Sequence, residues 1–167
     1  QKGGDNSSTV EIGKEDGYSN KNLVNVVQRG FENKSEVILD DDADRNDVSV
    51  KQKADANYSF VGGEDADDNK VRVRQLGDEN TSFVILAPGS DHNDIKIRQT
   101  GDNNAALSWN GLESDYNTGR IAQAGEYSLA ISANVFGASH NAATITQGSG
   151  TLGNLAIAIA AGNGNSA

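Results

Sequence analysis

The side chains with the strongest positional order in this sequence are carboxamides. Gln recurs at Gln1, Gln28, Gln52, Gln75, Gln99, Gln123 and Gln147, with spacings of 27, 24, 23, 24, 24 and 24. Six residues before each Gln, from the second onward, stands an Asn: Asn22, Asn46, Asn69, Asn93, Asn117 and Asn141. Five residues after it come Asn6, Asn33, Asn57, Asn80 and Asn104, then Ser128; the last arc gains two residues and Asn154 takes the role. A carboxamide both donates and accepts. Identical amides stacked along a column can therefore bond to one another. This chemistry holds a backbone together and breaks no bonds.

Other groups offer less. The loops Asp40-Asp41-Asp42-Ala43-Asp44-Arg45 and Gly63-Glu64-Asp65-Ala66-Asp67-Asp68 carry the oxygens calcium prefers. They lack EF-hand spacing, and Gly62-Gly63-Glu64-Asp65 does not continue into the nonapeptide calcium repeat. They are expected to be solvated loops held apart by like charge. His92 and His140 each precede a repeat Asn two units apart. On strand spacing that is about 10 Å, too far for a shared metal, so both are expected to be exposed loop residues. No nucleophile elbow and no HExxH spacing occurs. No catalytic residue, metal ligand or cofactor is expected.

Bulk composition narrows the class. Of 167 residues, 35% are apolar and 5% aromatic, with 19 Gly and net charge −10. Such a chain makes a broad globular core difficult, and regular apolar spacing argues against disorder. There is no Cys and no Met, which suits a protein facing oxidants outside a cell. No run approaches the ~20 apolar residues of a membrane helix. No signal peptide is visible, and a mature secreted chain would have lost it. The acidic balance disfavours a sequence-independent nucleic-acid binder.

The amides are positioned by alternating strands. Asn93-Asp94-Ile95-Lys96-Ile97-Arg98-Gln99 alternates polar and apolar residues, the period of a half-buried strand. The arc Thr100-Gly101-Asp102-Asn103 follows, then a second strand from Asn104. The repeat predicts column A over 22–28, 46–52, 69–75, 93–99, 117–123 and 141–147. Column B covers 6–12, 33–39, 57–63, 80–86, 104–110, 128–134 and 154–160. The loop at 13–21 is three residues longer than its counterparts, which accounts for the spacing of 27. A unit this short buries its apolar face only by stacking on its neighbours. The expected fold is all-β: a single domain over 1–167, a β-solenoid of about seven strand-arc-strand rungs at ~4.8 Å, forming two stacked parallel sheets.

If Gln99 points inward, alternation puts Asn93, Ile95, Ile97, Asn104, Ala106 and Ser108 inside with it. Val26, Val50, Val73, Ile97, Ile121 and Ile145 then face Ser35, Ser59, Ser82, Ala106, Ala130 and Ala156. A branched column against a small one lets two sheets approach closely. Outside, column A is charged, with Lys51, Lys70, Arg72, Arg74, Lys96, Arg98 and Arg120. That basic ladder is expected to keep the face soluble, with anionic polysaccharide or DNA as conceivable ligands. Column B is apolar outside: Phe60, Phe83, Leu107, Ile131 and Ile157, flanked by Ile38, Ile85, Trp109 and Ile159. Such a stripe is expected to be covered by lateral contact. Slipping column B by one residue would exchange its faces, and the regularity of the Asn and small columns selects the stated register.

The motif resembles the curlin repeat of curli, the bacterial extracellular functional amyloid, S-x5-Q-x-G-x-x-N-x-A-x3-Q. Gln28-Arg29-Gly30 with Asn33 and Ser35, Gln75-Leu76-Gly77 with Asn80 and Ser82, and Gln99-Thr100-Gly101 with Asn104 and Ala106 carry the likeness, which covers essentially the whole chain. So does Gln1-Lys2-Gly3 with Asn6 and Ser8. The leading Ser is Asn throughout. The closing Gln is replaced at Leu39, Gly63, Leu86, Asn110 and Asn134, and Ala54 and Ser149 replace the arc Gly. The resemblance implies a subunit secreted unfolded through an outer-membrane pore, engaged by a nucleator, and polymerised on the cell surface as biofilm matrix.

The ends point to self-assembly. Leu155-Ala156-Ile157-Ala158-Ile159-Ala160 is the most apolar strand and lies on the last rung, an edge that invites pairing. Leu155, Ile157 and Ile159 are its expected stacking residues, and head-to-tail stacking gives filaments. Gln1 stands in mid-unit, so the matching A strand lies upstream or comes from a neighbour. A monomeric secreted solenoid acting as an adhesin, ice-binding or calcium-binding module is the other class. Outward Thr is limited to Thr118, Thr144 and Thr146 on column A.

Overall fold

The computed structural model describes residues 1–13, 20–40, 42–148, 153–164 and 167. Within the longer loop at 13–21, residues 14–19 lie outside the described residues, as do Asp41 and the Ser149 arc position. One sheet holds six strands, column A: β2 (Leu23–Arg29), β4 (Asp47–Lys53), β6 (Lys70–Leu76), β8 (Asp94–Thr100), β10 (Thr118–Ala124) and β12 (Ala142–Gln147). The other holds seven, column B: β1 (Ser7–Ile12), β3 (Lys34–Asp40), β5 (Tyr58–Glu64), β7 (Thr81–Leu86), β9 (Ala105–Asn110), β11 (Leu129–Asn134) and β13 (Leu155–Ala160). Every pairing is parallel, between strands one turn apart. The described residues contain no helix. The fold is an all-β solenoid of six full turns, preceded by the half-turn β1.

Register follows the amide period. Gln52 pairs with Gln75, and Gln75 with Gln99. Each repeat Asn sits at a corner just before its strand; its carbonyl joins the cross-turn ladder, while its N–H is met by the Asn side chain of the adjacent turn. Each corner contains a left-handed residue immediately before the Asn. Before the column A Asn these are Lys21, Arg45, Asp68, His92, Tyr116 and His140, with φ between 55° and 59° except Tyr116 at 54°. The arc glycines are dictated by close approach: a Cβ on Gly101 would lie 2.2 Å from the Gly125 carbonyl oxygen. At Ala54 the same arc position takes φ 73° with a side chain present.

The core is thin and lies between the sheets. Val48, Val50, Val71, Val73, Ile95, Ile97 and Ile121 face inward with almost no exposure. Ser35, Ser59 and Ser82 are also fully buried, and their hydroxyls find no hydrogen-bond partner. A buried polar group left unbonded is destabilising, and Ala occupies the same column at 106 and 130. Ser59→Ala is therefore expected to raise unfolding stability by about 1 kcal/mol, read as a shift of the denaturant midpoint at unchanged slope.

Candidate assembly site

The Gln column forms one continuous hydrogen-bonded ladder. Nε2 of Gln28 donates to Oε1 of Gln52 at 2.9 Å, Gln52 to Gln75 at 3.0 Å, Gln75 to Gln99 at 3.0 Å, Gln99 to Gln123 at 3.1 Å and Gln123 to Gln147 at 2.9 Å. Each Nε2 also reaches two backbone carbonyls at the arc; for Gln99 they are Thr81 O at 2.9 Å and Asn104 O at 2.8 Å. These carbonyls lie where the chain turns between the sheets.

The Asn columns clamp the corners in the same direction. Asn69 Oδ1 accepts the Asn93 N–H of the next turn at 2.9 Å, while its Nδ2 donates to Ser90 O at 2.7 Å. Asn22, Asn46, Asn93, Asn117 and Asn141 donate from Nδ2 to the equivalent carbonyl of the next turn. At the arcs, Asn33, Asn80 and Asn104 each reach the arc carbonyl of the following turn, at Ala54, Gly101 and Gly125. Asn57 instead donates to Asn33 Oδ1 at 3.0 Å. All the Nδ2-to-carbonyl bonds to a following turn run toward the C-terminal end, so the stack has a polarity and its two ends differ.

Two further ladders escaped the sequence reading. Asp67, Asp91 and Asp115 accept the backbone N–H of Asp44, Asp67 and Asp91, at 2.6, 2.7 and 2.9 Å. At the arcs, Asp55, Asp78 and Asp102 accept the N–H of Phe31, Asp55 and Asp78, each at 2.8 Å. The acidic loops thus carry backbone caps and are not simply solvated. Their period was present in the sequence but masked by ordinary turn composition. Among the described residues, no three acidic or His side chains gather as a metal site would need.

The acid ladder has an electrostatic cost. Burial pushes the Asp91 carboxyl up, the Asp67 N–H opposes this, and the charges of Asp115 and Asp67 add to the rise. A carboxyl raised by folding binds more protons folded than unfolded, so stability falls as pH rises through the window above the ordinary Asp range. Asp91→Asn keeps the Oδ1 acceptor and removes the charge. It is expected to stabilise the fold at pH 7, with the gain disappearing near pH ~3.5, where the wild-type carboxyl is protonated in both states. Denaturant titrations at the two pH values read the difference. Asp68 behaves oppositely: Arg45 grips it at 2.9 and 2.8 Å and holds it below the usual carboxylate range.

His92 and His140 are exposed, but they do not stand alone. Tyr116 lies between them, stacked at 4.6 Å from the His92 ring and 5.1 Å from His140. The intervening turn carries this ring at the same left-handed corner.

The apolar outer face lies on column B. Phe83 is 37% and Ile157 56% exposed, whereas Phe60, Leu107, Trp109 and Ile131 are half-buried. Tyr58 joins this face edge-on to Phe83 at 5.7 Å, and Phe136 does so to Trp109 at 5.8 Å. At the C-terminal end, Leu155, Ile157 and Ile159 are 65%, 56% and 56% exposed. At the other end Val10 and Ile12, which alternation points into the core, are 45% and 39% exposed because no described strand faces β1.

Residues 43–77 match the family model of the curlin associated repeat. That stretch is a curlin repeat. It spans β4, its arc, β5 and β6, and so contains the Gln52–Gln75 ladder bond, the Asn46 clamp and the Asp55–Asp78 cap. The turns outside it repeat the Gln ladder bond and the Asn clamp before column A at equivalent positions. No curated protein and no solved structure matches the chain. No helix among the described residues is long and apolar enough to cross a membrane.

Proposed function

We propose that the whole chain, 1–167, is one curlin-type domain that acts as a structural subunit of an extracellular amyloid fibre. It polymerises head-to-tail by adding turns, and it has no catalytic role. One observation carries the reading. Among the described residues the seven-stranded sheet ends in strands with an unpaired edge, β1 at one end and β13 at the other, and β13 exposes Leu155, Ile157 and Ile159, whereas Lys2 bridges the end of β2 and Ala167 bonds along β12. Parallel edges of this kind template further strands. Because the ladders are polar, the two ends are complementary, and a contact between them does not close. The core amides Gln28 to Gln147 and their Asn partners then continue along the fibre.

The curlin repeat at 43–77 supports the same class. With it comes the proposal of export through a curli-type pore, engagement by a nucleator, and residence on the cell surface in biofilm matrix. The experiment is direct: dilute the chain from denaturant and follow thioflavin fluorescence, electron microscopy and fibre diffraction. Filaments with a meridional reflection near ~4.8 Å are expected. A chain that stays monomeric for days would instead be a binding module.

The apolar face of column B supports lateral pairing of filaments through Phe60, Phe83, Leu107, Trp109, Ile131 and Ile157. Phe83→Ser with Leu107→Ser is expected to give single, thinner filaments with unchanged cross-β spacing. Paired fibres of wild-type width would remove this face from the assembly.

A further inference from the structure

The outer face of column A carries a charge distribution that neither folding nor stacking explains. Lys51, Arg74 and Arg98 stand directly beside one another on three successive strands, and Arg29 lies beside Lys53. These cations, exposed in a molecule of net charge −10, line a trough of about 580 Å³. Like charges opposed across a sheet are destabilising. Two further cations of the trough are relieved by carboxylates on this sheet: Asp94 meets Lys96 at 2.6 Å, and Asp47 lies 3.7 Å from Arg72. The other five, Arg29, Lys51, Lys53, Arg74 and Arg98, have no acidic partner within ion-pair distance among the described residues. Asp55, Asp78 and Asp102, in the arcs that follow these strands, are tied to backbone N–H groups of the arc.

We infer that this trough binds a linear anionic polysaccharide whose carboxylates run along the Lys51–Arg74–Arg98 column, parallel to the solenoid axis. The column presents one cation per ~4.8 Å rung, a spacing that suits a chain with one carboxylate per sugar. Arg74 and Arg98 offer the planar fork that grips a carboxylate through two bonds. The strip is narrow and bordered by the acid ladders of both edges, Asp67–Asp91–Asp115 and Asp55–Asp78–Asp102. A DNA duplex, with a charge every ~1.7 Å of axis, would lay phosphates over those margins. The face belongs to a single chain, so the inference does not rest on filament assembly.

The test uses the full chain and labelled polygalacturonate oligomers in fluorescence polarisation at two salt concentrations, with duplex DNA and dextran in parallel. Polygalacturonate is expected to bind, dextran not to bind, and DNA to bind about tenfold more weakly at the same salt. Lys51→Gln with Arg74→Gln and Arg98→Gln should weaken polygalacturonate about tenfold or more, while Lys70→Gln with Arg120→Gln, off the column, leaves it within about twofold. All these side chains are exposed, and circular dichroism checks that both variants fold. Absence of binding to the native chain, or equal losses in the two variants, overturns the inference. DNA binding as tight as polygalacturonate would make the face a nucleic-acid surface and overturn it. So would salt-sensitive clustering without polymer that only the triple variant abolishes, because the occupant would then be a second copy.

Discussion

Ile157→Pro in β13 is expected to give a subunit that folds, joins a filament and then stops it. Neighbouring β11 uses the carbonyls of Asn154 and Ala160, accepting from Leu129 at 2.7 Å and Val135 at 3.1 Å. In a parallel strand, residues facing one neighbour alternate with those facing the other. The N–H groups of Leu155, Ile157 and Ile159 therefore point to the free edge. Proline at 157 removes one of them and adds a ring there, which an edge strand tolerates. No bond inside the subunit is lost, so its own unfolding should change by less than about 1 kcal/mol. Alone, the variant should form no filaments. Mixed at about one part in ten, it should shorten wild-type filaments, because its intact N-terminal edge still docks and its C-terminal edge then blocks growth. Thioflavin kinetics and filament lengths by electron microscopy read the effect. Filaments of normal length from the variant alone would mean that growth does not use this edge.

Gln99→Leu should be the most damaging single change inside the stack. Leucine fills nearly the same space but cannot bond Thr81 O, Asn104 O or Gln123 Oε1, and it leaves Gln75 Nε2 without its Oε1 acceptor. Of these, Asn104 O keeps the Thr81 N–H at 2.8 Å. Thr81 O keeps its place in the β7–β9 ladder, and Gln75 Nε2 keeps Tyr58 O and Asn80 O. Gln123 Oε1 is therefore the group stranded in a water-free core, at about 1–3 kcal/mol, on top of the bonds the Gln99 amide itself gives up. A loss of about 3 kcal/mol is expected in denaturant unfolding. Because each turn touches only its neighbours, breaking the middle of the stack should also split unfolding into two transitions. Gln147→Leu is the control: among the described residues its Nε2 bonds Leu129 O and Asn154 O, at 3.0 and 3.2 Å, with no further Gln beyond it, and it should cost less.

The strands, their register and the buried amides were legible in the sequence because one period controls all three. A Gln that recurs every 24 residues and an Asn on either side leave little freedom in where the chain bends. The direction in which Phe83 and Leu107 point then follows from alternation. The acid ladders were not legible. Asp67 and Asp91 recur with the same period, yet aspartate is common in any turn, so composition hid a backbone cap. Tyr116 was missed for a related reason. Rung count gives the separation of His92 and His140 but not what lies in it, and the turn between them supplies a ring that fills it. The exposure of Val10 and Ile12 depends on a missing neighbour, a property of the stack rather than of the residues.

The central claim is that function lies in continuing the turns past the ends of one chain. A filament reconstruction by electron microscopy tests it most directly. The expected map has strands perpendicular to the fibre axis and an unbroken ~4.8 Å rung spacing, with β1 of one copy hydrogen-bonded along β13 of the next. A map in which both edges face solvent and subunits meet only through their side faces would contradict it.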